Sequence, residues 1–141
     1  MTSINRDNLI AAARVARDKA YAPYSRFHVG AAVLTAEGII ISGCNIENAA
    51  YPSTMCAERV ALHNAYAQGA RTIIALAVIA DTPGPVSPCG GCRQVMAELC
   101  PRAIIFLANT AGAWVETSLA ALLPGAFDPN DLPMASAKPG H

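Results

Sequence analysis

The sequence predicts a three-layer α/β/α sandwich built on a mixed five-stranded sheet. Stretches of helical and strand periodicity follow one another in the order α-β-β-α-β-α-β-β-α, which sets helices against both faces of one sheet. The chain has 141 residues, 53% of them hydrophobic and only 14% charged, which is the size of one domain with ample material for a core. It contains no internal repeat and no low-complexity tract, so residues 1–127 read as a single domain. Residues 128–141, with Pro129, Pro133, Pro139 and Gly140, read as a flexible C-terminal tail.

The elements follow from local chemistry. From Ser3 to Ala20, Leu9, Ala13, Ala16 and Ala20 recur at helical spacing, and Arg14, Arg17, Asp18 and Lys19 supply a wet side. After the turn-rich Ala22-Pro23-Tyr24-Ser25, the segments His28 to Thr35 and Ile39 to Asn45 flank Ala36-Glu37-Gly38 and predict a β-hairpin. Met55 to Gln68 predicts a helix, with Ser53 or Thr54 as N-cap and Gly69 as C-cap, and a strand from Thr72 to Ala80 follows. Beyond the loop Asp81 to Pro85, Ser87 suits an N-cap and Pro88 the first position of a helix reaching Leu99. Pro101 stops it; Ala103 to Ala108 and Trp114 to Glu116 predict the last strands, and Ser118 to Leu122 a final helical turn.

Composition excludes several classes of function. Ten Lys plus Arg balance ten Asp plus Glu, so no net field draws in a nucleic acid, and a small ligand fits better. The amino terminus lacks the apolar stretch of a signal peptide, and the longest apolar runs, such as Ile73 to Ala80, are too short to cross a bilayer. A cytoplasmic protein is expected. Five cysteines, an odd number, favour free thiols or metal ligands over a disulfide framework.

The cysteine spacing carries the chemistry. Cys89-Gly90-Gly91-Cys92 puts two thiols three residues apart at a helix start, on one face, where they can grip one ion. A dithiol redox pair uses the same spacing, so the pair alone leaves zinc and redox chemistry open. A catalytic zinc site takes three protein donors and keeps a fourth position free, and Cys56, near another helix start, is the best third donor. Helix N-termini lower thiol pKa and favour the metal-binding thiolate. Glu58 lies two residues after Cys56, and a carboxylate beside an activated water serves a hydrolytic enzyme, not a redox pair. Residues two apart on a helix diverge, so Cys56 and Glu58 can share a site only if Cys56 sits at the very start of its helix.

Cys56-Ala57-Glu58, followed at a distance by Pro88-Cys89-Gly90-Gly91-Cys92-Arg93-Gln94, resembles the zinc signature of the cytidine deaminase family. The resemblance runs from Tyr21 to Phe127, through Tyr24-Ser25-Arg26-Phe27, Val29-Gly30-Ala31-Ala32, Gly43-Cys44-Asn45-Ile46-Glu47-Asn48-Ala49 and Leu122-Leu123-Pro124. Cysteine at position 56, where other relatives have histidine, is similar to the small homotetrameric members. The resemblance implies hydrolytic deamination of cytidine and deoxycytidine with one Zn²⁺ per subunit, in pyrimidine salvage. It further implies zinc on Cys56, Cys89 and Cys92, proton transfer by Glu58, ribose contacts from Asn45 and Glu47, and Phe27 against the pyrimidine. The backbone around Ala57, Glu58 and Ser87 would read the base edge, Tyr51 and Phe127 would complete pockets of neighbouring subunits, and Arg59 would offset the negative charge of three thiolates. Members often carry proline where His28 stands here, and His28 receives no role.

Blander readings stand beside these. The three cysteines could hold a structural zinc or be packed thiols, Asn45 and Glu47 could close a strand end, and Phe27, Tyr51 and Phe127 could be core or interface aromatics. Cys44 and Cys100 read as packed thiols, and Tyr66, His63, Trp114 and His141 as structural residues. Competing functions are deamination of an aminoacyl-nucleoside antibiotic such as blasticidin S, disulfide reduction by Cys89 and Cys92, and a zinc-stapled interaction module without an open coordination position.

Overall fold

Helix α1, Arg6–Arg17, opens the fold in the computed structural model, which describes residues 2–133. Asn5 caps it, accepting the Asn8 backbone N–H at 3.0 Å, and Leu9, Ala13 and Ala16 turn its apolar stripe inward. The hairpin of β1, Val29–Thr35, and β2, Ile40–Cys44, follows, then a 3₁₀ turn at Tyr51–Ser53. Next come α2, Ala57–Ala67, β3, Ile73–Ala80, and α3, Gly90–Leu99. Strands β4, Ile104–Asn109, and β5, Trp114–Thr117, and the short α4, Leu119–Leu122, complete the core.

The sheet runs β2-β1-β3-β4-β5. Only β3 and β4 pair in parallel; the other neighbours are antiparallel, so the sheet is mixed and five-stranded as the sequence predicts. Every residue of β1 is buried and β3 is nearly so, the mark of central strands covered on both faces. On one face, Ala32, Leu34, Ala75, Ala77 and Ile79 meet Leu9 and Ala13 of α1. On the other, Val33, Leu76 and Val78 meet Ala61 and Leu62 of α2 and Met96 of α3.

Two glycines set how closely the helices approach. A Cβ on Gly30 would lie 1.9 Å from the Ala13 carbonyl oxygen, and one on Gly43 would lie 2.5 Å from the Ala61 nitrogen and 3.0 Å from the Ala57 oxygen. The backbones of β1 and β2 thus press directly on α1 and α2, a contact that only glycine allows.

The helix caps differ from the sequence expectation. Ser53 lies in the 3₁₀ turn, and Thr54 spends its hydroxyl on the Asn48 N–H at 3.1 Å, so Cys56 becomes the N-cap of α2. Ser87 and Pro88 fall outside α3; Cys89 is its N-cap, with Sγ accepting the Cys92 N–H at 3.4 Å. Gly69, with φ of 97°, follows α2 as expected. Within the expected tail, Asp128 and Asp131 form a capping box around a 3₁₀ turn at Pro129–Asp131; residues 134–141 lie outside the described residues. No helix among the described residues is long and apolar enough to cross a membrane.

Candidate active site

Two helix N-termini point at one spot. Cys56 precedes α2 with extended backbone, φ −76° and ψ 153°, and Cys89 precedes α3 in nearly the same conformation, φ −70° and ψ 167°. Each sulfur therefore swings across the end of its helix, toward the unpaired N–H groups and the positive end of the dipole. Cys92, one turn into α3 and buried, completes the cluster. The Cys56 and Cys89 sulfurs are 3.8 Å apart, those of Cys89 and Cys92 are 3.2 Å apart, and all three lie within 4.8 Å of one another. Tetrahedral zinc with bonds of about 2.3 Å holds its sulfurs roughly 3.8 Å apart, so the donor set fits zinc in number and the Cys56–Cys89 spacing matches it, while Cys89 and Cys92 sit closer together.

Because Cys56 is the cap and not a helical residue, it converges with Glu58 although they are two apart. Glu58 is only 4% exposed, and burial pushes its carboxyl above the usual range, with the neighbouring Cys56 charge acting in the same direction. Arg59 donates from Nη2 to the Cys56 sulfur at 3.3 Å. Hydrogen bonding from Cys92, with help from Arg59, lowers the Cys56 thiol to about 5, while the same contact and burial push the Cys92 thiol up. The site is thus predisposed to thiolate formation at Cys56.

A cavity of about 180 Å³ opens over this cluster, walled by Phe27, Asn45, Cys56, Glu58, Ser87 and Cys89. It is smaller than the roughly 300–1,000 Å³ of pockets for whole drug-sized ligands, and its size suits one flat ring. Thr54 joins it to a wider hollow of about 380 Å³ bordered by Tyr24, Ser25, Glu47 and Tyr51. A ring-sized chamber leading to a vestibule of aromatic walls with the Glu47 carboxylate on its border is a shape for a nucleoside.

The loop between them is held by two residues of the Asn-x-Glu string. Asn45 donates from Nδ2 to the Phe27 carbonyl at 2.7 Å and accepts the Val29 N–H at 2.9 Å. Glu47 accepts the Tyr24 and Ser25 N–H groups at 3.0 and 3.1 Å and the Ser25 hydroxyl, and that hydroxyl contact holds its carboxyl below the usual range. Both side chains therefore position the Phe27 loop as well as facing the cavities.

Of the residues singled out from sequence, Phe27, Asn45, Cys56, Ala57, Glu58, Ser87 and Cys89 line the chamber, with Cys92 behind it and Arg59 alongside. Glu47 and Tyr51 border the vestibule. Phe127 is 57% exposed and lines neither cavity of its own chain. Sequence reasoning missed Thr54, shared by both cavities, and Val78 and Val86, which floor the chamber from the end of β3 and the loop after it. Thr54 and Val86 stand near the cysteine strings in sequence, whereas Val78, inside β3, carries no local signal. His28 is half-buried, and its carbonyl accepts from Arg17 Nε at 3.1 Å, in keeping with a packing role.

Comparison with known proteins agrees with this geometry. Residues 3–108 match the family model described as the cytidine and deoxycytidylate deaminase zinc-binding region. Cytidine deaminases of Sporosarcina psychrophila and Halalkalibacterium halodurans are each 54% identical, over 92% of this chain and 96% and 98% of their own lengths. A crystal structure of cytidine deaminase from Burkholderia pseudomallei superposes with a TM-score of 0.86 at 50% identity, covering 88% of this chain and all of that one. Cytidine deaminase from Mycobacterium tuberculosis superposes with a TM-score of 0.78 at 35% identity, over 89% of this chain and 99% of that one.

Proposed function

The chain belongs to the family of cytidine and deoxycytidylate deaminases, and from that premise we propose that it hydrolyses free cytidine and deoxycytidine to uridine and deoxyuridine, releasing ammonia, in pyrimidine salvage. The observation that carries this reading is the meeting of three sulfurs with a buried carboxylate beside a ring-sized chamber. A dithiol oxidoreductase would need only Cys89 and Cys92, whereas here a third sulfur and Glu58 converge on them.

Cys56, Cys89 and Cys92 would hold the zinc as thiolates. When bound, zinc would supply Lewis acidity, lowering the pKa of a water toward about 7. Glu58 accepts a proton from the attacking water and delivers it to ring N3, which makes C4 electrophilic. It then carries the hydroxyl proton to the departing amine. A carboxylate whose burial raises its proton affinity suits both halves of this shuttle. Arg59 offsets part of the negative charge of the three thiolates through its contact with Cys56.

Substrate is placed by the walls. The Phe27 ring packs against the pyrimidine, backbone groups of Ala57, Glu58 and Ser87 read its edge, and Asn45 and Glu47 bind the sugar hydroxyls. Tyr51 and Phe127, both well exposed, complete the pockets of neighbouring subunits in a homotetramer. Residues 1–127 act as one domain, the protein is cytoplasmic, and polynucleotides are not substrates. Incubation with cytidine, deoxycytidine and blasticidin S side by side tests the reading: the two nucleosides are consumed with one ammonia each and blasticidin S is not. Turnover of blasticidin S alone, or insulin reduction without ammonia release, would replace it.

A further inference from the structure

Arg93 and Gln94 follow the zinc ligand Cys92 directly, yet neither faces the chamber. The Arg93 guanidinium donates in three directions: Nε to the Pro88 carbonyl at 2.9 Å, Nη2 to the Ser87 hydroxyl at 2.6 Å, and Nη1 to the Leu122 carbonyl at 2.6 Å. Gln94 donates from Nε2 to the Phe127 carbonyl at 3.0 Å. Two neighbouring residues of α3 thus tie the Ser87-Pro88 approach to Cys89 on one side and the segment from Leu122 to Phe127 on the other.

The C-terminal segment has little else to hold it. Among the described residues, positions 124–127 make no backbone-to-backbone hydrogen bond, and Pro124, Gly125 and Phe127 are exposed. A strand of chain in that condition is set by its few anchors. All three acceptors of Arg93 are neutral oxygens, and the one ion pair among the described residues is that of Arg6 with Asp7. It is Arg59, not Arg93, that meets a sulfur. The feature Arg93 contributes is therefore its planar fork, which one lysine nitrogen cannot reproduce across three divergent acceptors.

We infer that Arg93 and Gln94 are positioning residues: Arg93 fixes the Ser87-Pro88 segment against the reacting ring, and Gln94 fixes the Phe127 segment where a neighbouring subunit's pocket uses it. This rests on the proposed deaminase reading and on the role it gives Phe127. The zinc-bearing helix of one subunit then also shapes the substrate pocket of the next, by way of one arginine and one glutamine.

Steady-state kinetics with zinc analysis on the wild-type chain, Arg93→Ala, Arg93→Lys and Gln94→Ala tests it. Arg93→Ala should lose about 10²-fold in kcat per bound zinc, the scale of a 1 Å misplacement of a catalytic group. Arg93→Lys should not restore it, while added free guanidinium should restore part. Gln94→Ala should raise KM by about fivefold with kcat within about twofold, the pattern of lost uniform binding. Full kcat in Arg93→Lys, an Arg93→Ala loss matched entirely by missing zinc, or unchanged KM in Gln94→Ala would each overturn the inference. If Arg93→Ala does not fold, Arg93→Lys and Gln94→Ala decide it. A wild-type chain inactive on cytidine would sink the deaminase reading; an active wild type with normal variants would sink only this inference.

Discussion

Replacing Gly43 by alanine should damage the active site from the far side of a helix. The new Cβ would sit 2.5 Å from the Ala61 nitrogen, where ordinary contact begins near 3.4 Å, and neither can swing away, since the nitrogen is backbone and a Cβ is fixed to its own Cα. Helix α2 must therefore retreat from β2 by roughly 0.9 Å. Overpacking of this kind costs about 1–3 kcal/mol, which for a chain of this size lowers Tm by about 3–10 °C. The functional effect is larger. Helix α2 carries Cys56 at its cap and Glu58 in its first turn, whereas Cys89 and Cys92 ride on α3. A zinc site tolerates only about 0.2 Å in ligand distance, and a displacement near 1 Å costs about 10²-fold in rate. Gly43→Ala should thus weaken zinc binding and lower kcat together. Gly91→Ala serves as the control, because a Cβ there meets nothing within 4 Å, and it should leave Tm level or slightly raised. Differential scanning fluorimetry, metal analysis and cytidine turnover give the three readouts. A Gly43→Ala protein with wild-type Tm, zinc content and kcat would refute the reasoning that the glycine sets the ligand spacing.

The other expectations concern the site itself. Glu58→Ala should keep its zinc and lose at least about 10⁴-fold in turnover, since one carboxylate serves several proton transfers; mass spectrometry of the native protein and cytidine absorbance check both halves. Cys89→Ala or Cys92→Ala should instead lose zinc and some folding stability, seen as lower metal content and Tm. The Glu47 carboxyl has a folded pKa below its ordinary value of 4.5, so its grip on the Tyr24–Ser25 backbone is fully present above that value. The grip is lost as pH falls through the depressed folded value. Zinc-replete protein should show KM for cytidine rising at acid pH, and Glu47→Gln should show raised KM already at neutral pH without that rise.

Much of this was legible because hydrophobic period and turn chemistry agree along the chain. The continuous apolar runs of β1 and β3 need helices on both faces, and Gly38 and Gly69 mark turns where φ is positive. The Cys-x-x-Cys and Cys-x-Glu strings brought the right residues to one place. What sequence missed is what tertiary contact decides. Cap preferences favour Ser53, Thr54 or Ser87, yet Thr54 is drawn to Asn48 and Ser87 to Arg93, and the caps fall to Cys56 and Cys89. Asn45 and Glu47 read as sugar ligands, and only the folded chain shows them also gripping the backbone from Tyr24 to Val29. The reach of Arg93 to Leu122, 29 residues away, leaves no local signal at all.

On the proposed mechanism, three sulfurs at two helix starts hold one zinc that Glu58 puts to use. Stripping the reduced protein with a chelator and titrating zinc back while recording ammonia release from cytidine tests it most directly. Activity should be absent at the start, rise in proportion to added zinc, and stop rising at one equivalent per chain. Full ammonia release from the metal-free protein, or zinc uptake that restores none, would contradict it.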